Sequence, residues 1–305
     1  MGQISSVAPL TPSGKHLGYY LVLFLDVLGQ REKLRKLTDL PTSEEERKRV
    51  GATLRDTVGT VNILRDCFTT YFRGFERKVE FGKGLSEEQR RTLHGMRRLE
   101  VRHYGFSDSI IVFVPLKNTN EHCTPMNGVY CSILAACSVM TLALTDGIPF
   151  RGGVDVGLGI EMTKSEIYGP ALERAHFLES CKARYPRIAV GDELLNYLRI
   201  VHGQSPSTVF GRSAVILAGA CLSAIFQDSD GCFALDYFGS TFQEHVAKNA
   251  LRPEFVRKAL DFADGERKKW TAAGNNELAD RYGRLLAYLR SRSQIWGIAD
   301  ARSAT

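Results

Sequence analysis

The sequence predicts an α+β fold: a ferredoxin-like βαββαβ core over residues 18–240, preceded by a flexible N-terminus at 1–17 and followed by a helical C-terminal extension at 241–305. Three observations carry that expectation. Leu21-Val22-Leu23-Phe24-Leu25-Asp26-Val27-Leu28-Gly29 is a run of large apolar residues broken by one carboxylate and closed by a glycine, the pattern of a buried strand ending at a turn. Val50, Leu54, Val58, Val61, Leu64, Phe68 and Phe72 recur at spacings of 3 and 4, which puts them on one face of a long helix. Read onward, the order of elements is strand, helix, strand, strand, helix, strand, the split βαβ arrangement with helices on one face of an antiparallel sheet.

Composition sets the limits. With 305 residues and 44% hydrophobic content the chain can bury a sizeable core. A net charge of +6 favours an anionic partner without requiring nucleic acid, and a polyanionic small molecule satisfies it. The seven cysteines are odd in number and contain no C-x-x-C pair, so neither a zinc site nor a disulfide framework is expected, and a reduced cytoplasmic location is. No charged segment leads into an apolar one at the N-terminus, so no secretory signal is expected. The apolar stretch 214–226 is too short to span a bilayer, and no membrane span is expected. Met1-Gly2 with Ser6 fits the short myristoylation pattern, which chance also produces.

In chain order, residues 1–17 are small and polar, and the first strand runs over 19–27 into a turn at Gly29. Residues 30–41 read as a charged connection. Thr42-Ser43-Glu44-Glu45 is a helix start. The segment 73–102 is rich in Arg and Lys with little periodicity: a solvated basic loop, or a lid that draws in a triphosphate. Residues 99–104 and 110–114 form a hairpin around Asp108, and 118–127 is loop. Residues 129–144, small and apolar all round, predict a buried helix. Alternation over 150–160 sets Val154, Val156, Leu158 and Ile160 on one strand face. A helix at 170–183, a strand at 187–190 and a short helix from Asp192 follow. Gln227-Asp228-Ser229-Asp230-Gly231 is a hairpin turn, and 253–295 is amphipathic and helical, packed on the core or on a partner subunit.

Asp26 is the chemical anomaly of the first strand, because a buried Asp needs something positive beside it. It could instead cap the segment that follows. A second isolated acid, Asp108, lies in the turn Gly105-Phe106-Ser107-Asp108-Ser109, where an ordinary turn role is the alternative. Two acids at strand ends can share a divalent cation whose charge removes their mutual repulsion. The predicted topology makes the first strand and the central hairpin neighbours, so Asp26 and Asp108 are expected to meet at one sheet edge although 82 positions separate them.

These motifs together resemble a family. Asp26-x-x-Gly29 after an apolar strand, Ser107-Asp108, Gly153-Val154-Asp155-Val156-Gly157 and Glu166-Ile167-Tyr168-Gly169 are similar, in order and spacing, to the metal and base-reading elements of class III nucleotidyl cyclases. Phe106-Ser107-Asp108-Ser109, Phe150-Arg151-Gly152-Gly153, Gly169-Pro170-Ala171-Leu172 with Ala175 and Glu179, and Tyr185-Pro186-Arg187-Ile188 resemble the pyrimidine cyclases of bacterial Pycsar anti-phage systems. The resemblance covers about residues 19–238.

It implies Mn2+-dependent conversion of UTP or CTP, UTP favoured, to a 3′,5′-cyclic monophosphate, with Mg2+ as the other divalent option. The product would act on a separate effector protein. The resemblance implies two ions held by Asp26, Asp108 and the Val27 carbonyl, with Arg151 catalytic, Phe24, Tyr104, Glu166 and Arg174 contacting substrate, and a head-to-tail homodimer. Tyr104 and Glu166 stand where the purine-reading Lys and Asp of the family lie, and each has a plain alternative as a packing tyrosine and a solvated acid. The family's transition-state Asn and Arg map to Glu173 and Phe177, which cannot do that work. Arg151, Arg174 and the basic segment are the candidate substitutes, and Arg187 is expected to pair with Glu179.

Overall fold

The computed structural model describes residues 16–78, 86–87, 102–106, 108–117, 125–163, 166–247 and 253–298. Most of the proposed basic segment 73–102 falls outside them, but its residues 73–78 are helical; of the expected loop 118–127, residues 118–124 fall outside and 125–127 are helical, and the Met1-Gly2 pattern falls outside. The fold is α+β with a mixed eight-stranded sheet. Its strands are β1 (His16–Val27), β2 (Arg102–Phe106), β3 (Ser109–Lys117), β4 (Phe150–Thr163), β5 (Glu166–Tyr168), β6 (Ile188–Val190), β7 (Ile225–Gln227) and β8 (Phe233–Leu235). The order is β2-β3-β1-β4-β6-β8-β7, with β5 paired to β4. The four longest strands thus take the order β2-β3-β1-β4, all antiparallel, with β1 at the centre. β1 begins at His16, so the two last residues of the expected flexible N-terminus already pair with β4.

The period-2 alternation of β1 divides two layers. Leu21, Leu23, Leu25 and Val27 enter the main core, while Tyr20 and Val22 face a smaller cluster on the other side. The main core is filled by α2 (Glu44–Lys78) and α3 (Pro125–Thr145). α2 starts with a capping box: the Glu46 N–H donates to Ser43 Oγ at 3.2 Å, and the Ser43 and Thr42 N–H groups donate to the Glu46 carboxylate. Its apolar face is buried only in its second half, at Val61, Leu64, Phe68, Phe72 and Phe75; Leu54 and Val58 are 43% and 55% exposed. Among the described residues one helical stretch, Met126–Thr145, is apolar and long enough to cross a membrane, and 89% of its apolar window is buried inside the fold. It lies within α3, the expected core helix.

The expected connection after β1 contains a helix, α1 (Gln30–Arg35). On the second sheet face lies α4 (Pro170–Phe177), continued by a wide π turn over Leu178–Lys182. α5 (Asp192–His202) and α6 (Val209–Ser223) follow β6. The extension forms a helical hairpin, α7 (Pro253–Ala272) and α8 (Asn276–Arg292), whose Val256, Ala259, Leu285 and Leu289 are fully buried in the main core. It packs on its own chain. Trp296 Nε1 donates to the Phe238 carbonyl at 2.8 Å and fastens the end of this hairpin to the segment after β8.

Candidate active site

The site is built at the C-terminal end of β1. Register sets Asp26 opposite Ser109, the residue after Asp108, and the Val27 N–H donates to the Asp108 carbonyl at 3.3 Å. The two acids thereby stand at neighbouring positions where the paired strands β1 and β3 meet their turns. Ser109 Oγ donates to Asp26 Oδ1 at 3.0 Å. Asp26 and Asp108 are only 5% and 7% exposed, and among the described residues buried Asp108 Oδ2 has no hydrogen-bond partner. Asp26 does not cap α1: its N-cap is Gly29, whose φ of 86° turns the chain and which contributes no side-chain bond.

A buried carboxylate oxygen without a donor is costly as it stands. A hard divalent cation would supply the compensation, and carboxylate plus backbone carbonyl oxygens are the donor set that Mn2+ and Mg2+ prefer. Among the described residues no group of three or more His, Cys, Asp or Glu side chains is assembled for a metal ion. What fits here is the smaller set of Asp26, Asp108 and the Val27 carbonyl, which leaves coordination positions to water or substrate.

Cross-strand pairing then dictates what shares a face with Asp26. Arg151 stands opposite Asp26, Gly153 opposite Phe24, Asp155 opposite Val22 and Gly157 opposite Tyr20. Arg151 lies between two acids: Nη2 is 4.0 Å from Asp26 Oδ2, and Nε is 2.6 Å from Glu179 Oε1. Burial pushes the Glu179 carboxyl up, Arg151 pulls it back, and the Asp26 charge pushes it up again.

Glu179 reaches this position because α4 lies directly on the glycines of β4. A Cβ on Gly153 would stand 2.6 Å from the Leu178 Cβ and 2.8 Å from the Glu179 nitrogen, so only glycine admits the helix there.

No protein-family model, no curated protein and no solved structure matches the chain.

Residue by residue, the candidates divide. Phe24 sits edge-on to His176, ring centroids 4.9 Å apart, and the two line a cavity of about 540 Å³ with Tyr168, Gly169, Pro170, Leu172 and Glu173. Arg174 is engaged with Asp155 and Val156. Its Nε donates to Asp155 Oδ2 at 3.0 Å and its Nη2 to the Val156 carbonyl, over the space that Gly157 leaves. Asp155 also accepts from the Leu194 N–H at 2.8 Å, so this pair pins α4 and α5 to β4. Burial raises the Asp155 carboxyl, and the two N–H bonds and Arg174 oppose it.

Tyr104 occupies the register position opposite Ile111 on β2. Glu166 pairs with Thr163, twelve residues beyond Arg151 on β4; at about 3.3 Å per residue that is roughly 40 Å away. Within one chain Glu166 is not brought to the acid pair. Phe177 is 46% exposed.

Arg187 does not pair with Glu179. It is 1% exposed and is bound by Asp228 at 2.5 Å, Asp230 at 2.6 Å and the Lys182 carbonyl at 2.6 Å, because the β7–β8 turn folds over it. Burial alone would lower its guanidinium, and the Asp230 hydrogen bond, with Cys232 and Tyr185 beside it, outweighs that and raises it.

Sequence reasoning assigned no role to Ser109, His176 or the carboxylate of Glu179 at this site. Ser109 follows from the register once β1 and β3 are paired. The other two depend on how α4 crosses β4, for which the glycine at 153 is the only sequence signal.

Proposed function

We propose that the chain is a cytoplasmic pyrimidine nucleotide cyclase that converts UTP to 3′,5′-cyclic UMP and pyrophosphate at a two-metal site completed in a homodimer. Its product would act on a separate effector protein in anti-phage defence, and CTP is the alternative substrate. The observation that supports this most is the pairing of Asp26 with Ser109, which sets two buried acids side by side and leaves Asp108 Oδ2 without a donor.

A bound Mn2+ or Mg2+ pair would lower the pKa of the ribose 3′-hydroxyl and neutralise charge on the α-phosphate and the departing pyrophosphate. The chain's residues position and exclude. Asp26 and Asp108 hold the ions, Ser109 fixes the Asp26 carboxylate by its hydrogen bond, and Arg151 presents positive charge on the same face. In the reaction the 3′-oxygen bonds to the α-phosphorus, the bond from that phosphorus to the pyrophosphate oxygen breaks, and the 3′-proton leaves to solvent. No side-chain nucleophile is needed, because phosphoryl chemistry of this kind rests on positioning and electrostatics. Phe24 and His176 offer ring faces at the adjoining cavity. The roughly 40 Å between Glu166 and Arg151 along β4 means that Glu166 can read a base only from a second subunit.

A second reading, a nucleotide-binding domain that signals without turnover, is favoured by Glu173 and Phe177 standing where the family has its transition-state pair and by the engagement of Arg174 with Asp155. Purified protein incubated separately with ATP, GTP, CTP and UTP in Mn2+, with products resolved by chromatography, separates the two. A cyclic pyrimidine product supports the cyclase. Nucleotide bound but unchanged supports the binding domain and overturns the cyclase.

A further inference from the structure

We infer that Glu179 is a positioning residue that holds Arg151 back from Asp26 and thereby sets how tightly the acid pair takes its cation; this rests on the two-metal reading above. A guanidinium 4.0 Å from a metal-binding carboxylate competes with the metal for that carboxylate. Arg151 does not close on Asp26 because Glu179 lies nearer, at 2.6 Å from Nε, with a side chain only 4% exposed. Attraction between charges falls with distance and strengthens in a dry environment, so the nearer, buried acid dominates.

The contact lacks hydrogen-bond alignment: among the described residues, buried Arg151 Nε and Glu179 Oε1 have no hydrogen-bond partner. Arg151 is thus held by charge rather than locked by geometry, and side-chain rotation is enough to carry it to Asp26. The backbone is arranged to keep Glu179 in place. The wide turn Leu178–Lys182 projects its carboxylate toward the sheet, and Gly153 beneath it lets the turn approach. Besides Arg151 and Asp26, the His176 ring acts electrostatically on this carboxylate.

A residue that only stabilised the fold would not change metal affinity through Arg151. The test is Mn2+ binding to the full chain without nucleotide, followed by electron paramagnetic resonance, with variants confirmed as folded by circular dichroism. E179Q removes the charge and keeps the shape, so Arg151 turns to Asp26 and Mn2+ affinity falls by about tenfold, the lower range for loss of an outer-shell partner. R151Q removes the competitor and tightens Mn2+ binding. The double variant E179Q/R151Q binds like R151Q, because Glu179 acts only through Arg151. E179D retains the charge and recovers most of the affinity, and it serves as the folded control should E179Q melt.

Wild-type Mn2+ affinity in a folded E179Q overturns the inference while leaving the metal site standing. So does an equal loss with and without Arg151. Wild-type protein that takes up no Mn2+ overturns the metal reading and this inference together.

Discussion

Replacing Gly153 by alanine tests the contact on which the geometry of the second face depends. A methyl group there would stand 2.6 Å from the Leu178 Cβ, 2.8 Å from the Glu179 nitrogen, and closer still to the Ala175 carbonyl oxygen. Two of these three neighbours are backbone, so no side chain can swing aside. Against an ordinary contact of 3.4 Å, α4 and its wide turn must withdraw by about 0.8 Å at the Leu178 contact alone. Overpacking of this kind costs about 1–3 kcal/mol. The withdrawal carries Glu179 away from Arg151, so substrate turnover should fall by more than the loss of folded protein explains.

Urea unfolding of G153A, with G59A as a control, measures the cost. Gly59 lies inside α2 with open space around the missing Cβ, so alanine there should stabilise by about 0.5–1 kcal/mol. A G153A protein as stable as wild type would show that α4 does not approach β4 at this point, and the account of Glu179 would lose its support.

Arg187→Ala leaves Asp228 and Asp230 without their buried partner and should cost about 3–5 kcal/mol in chemical denaturation, with no change in Mn2+ affinity. The pH dependence follows from the same pair. Burial would raise Asp228, but its bonds from Tyr185 and Arg187 outweigh that, and Arg187 lowers Asp230, so both carboxyls sit below the ordinary range when folded. Their contribution is therefore present above about pH 4, the unfolded carboxylate value, and is lost as pH falls through the folded values. Urea midpoints measured from pH 6 down to pH 2.5 should show the gap between wild type and Arg187→Ala narrowing in acid; a constant gap would contradict this. On α2, Phe68→Ala should destabilise by about 3–5 kcal/mol, whereas Leu54→Gln should change stability by less than about 0.5 kcal/mol.

What the sequence made legible follows from where its physics is local. The apolar run of β1, the alternation of β4 and the helix start at Thr42-Ser43-Glu44-Glu45 each specify an element without reference to the rest of the chain, and each lies where it was read. The order of those elements was enough to make β1 and β3 neighbours and so to bring Asp26 to Asp108. Elements with a weaker local signal were not read. α1 has six residues, too few for a period to show, and α6 carries Gly211 and Gly219 within its apolar run, which weakens a helix reading. Leu54 and Val58 continue the apolar spacing of α2 into a part that stays exposed, which periodicity alone cannot reveal.

The pairings of arginines were the least legible. Arg174, Arg151 and Arg187 found Asp155, Glu179 and the Asp228–Asp230 turn, and each choice depends on how separate elements cross.

The central claim is that Asp26 and Asp108 form one cation site that serves nucleotide cyclisation. Its most direct test is cyclic UMP formation from UTP in Mn2+ by wild type, Asp26→Asn, Asp108→Asn and the double variant, all confirmed as folded. Groups that act as a unit lose their effect together. Both single variants and the double variant should fall to the same low floor, with Mn2+ affinity reduced in each. Turnover at the wild-type rate in either single variant would contradict the claim.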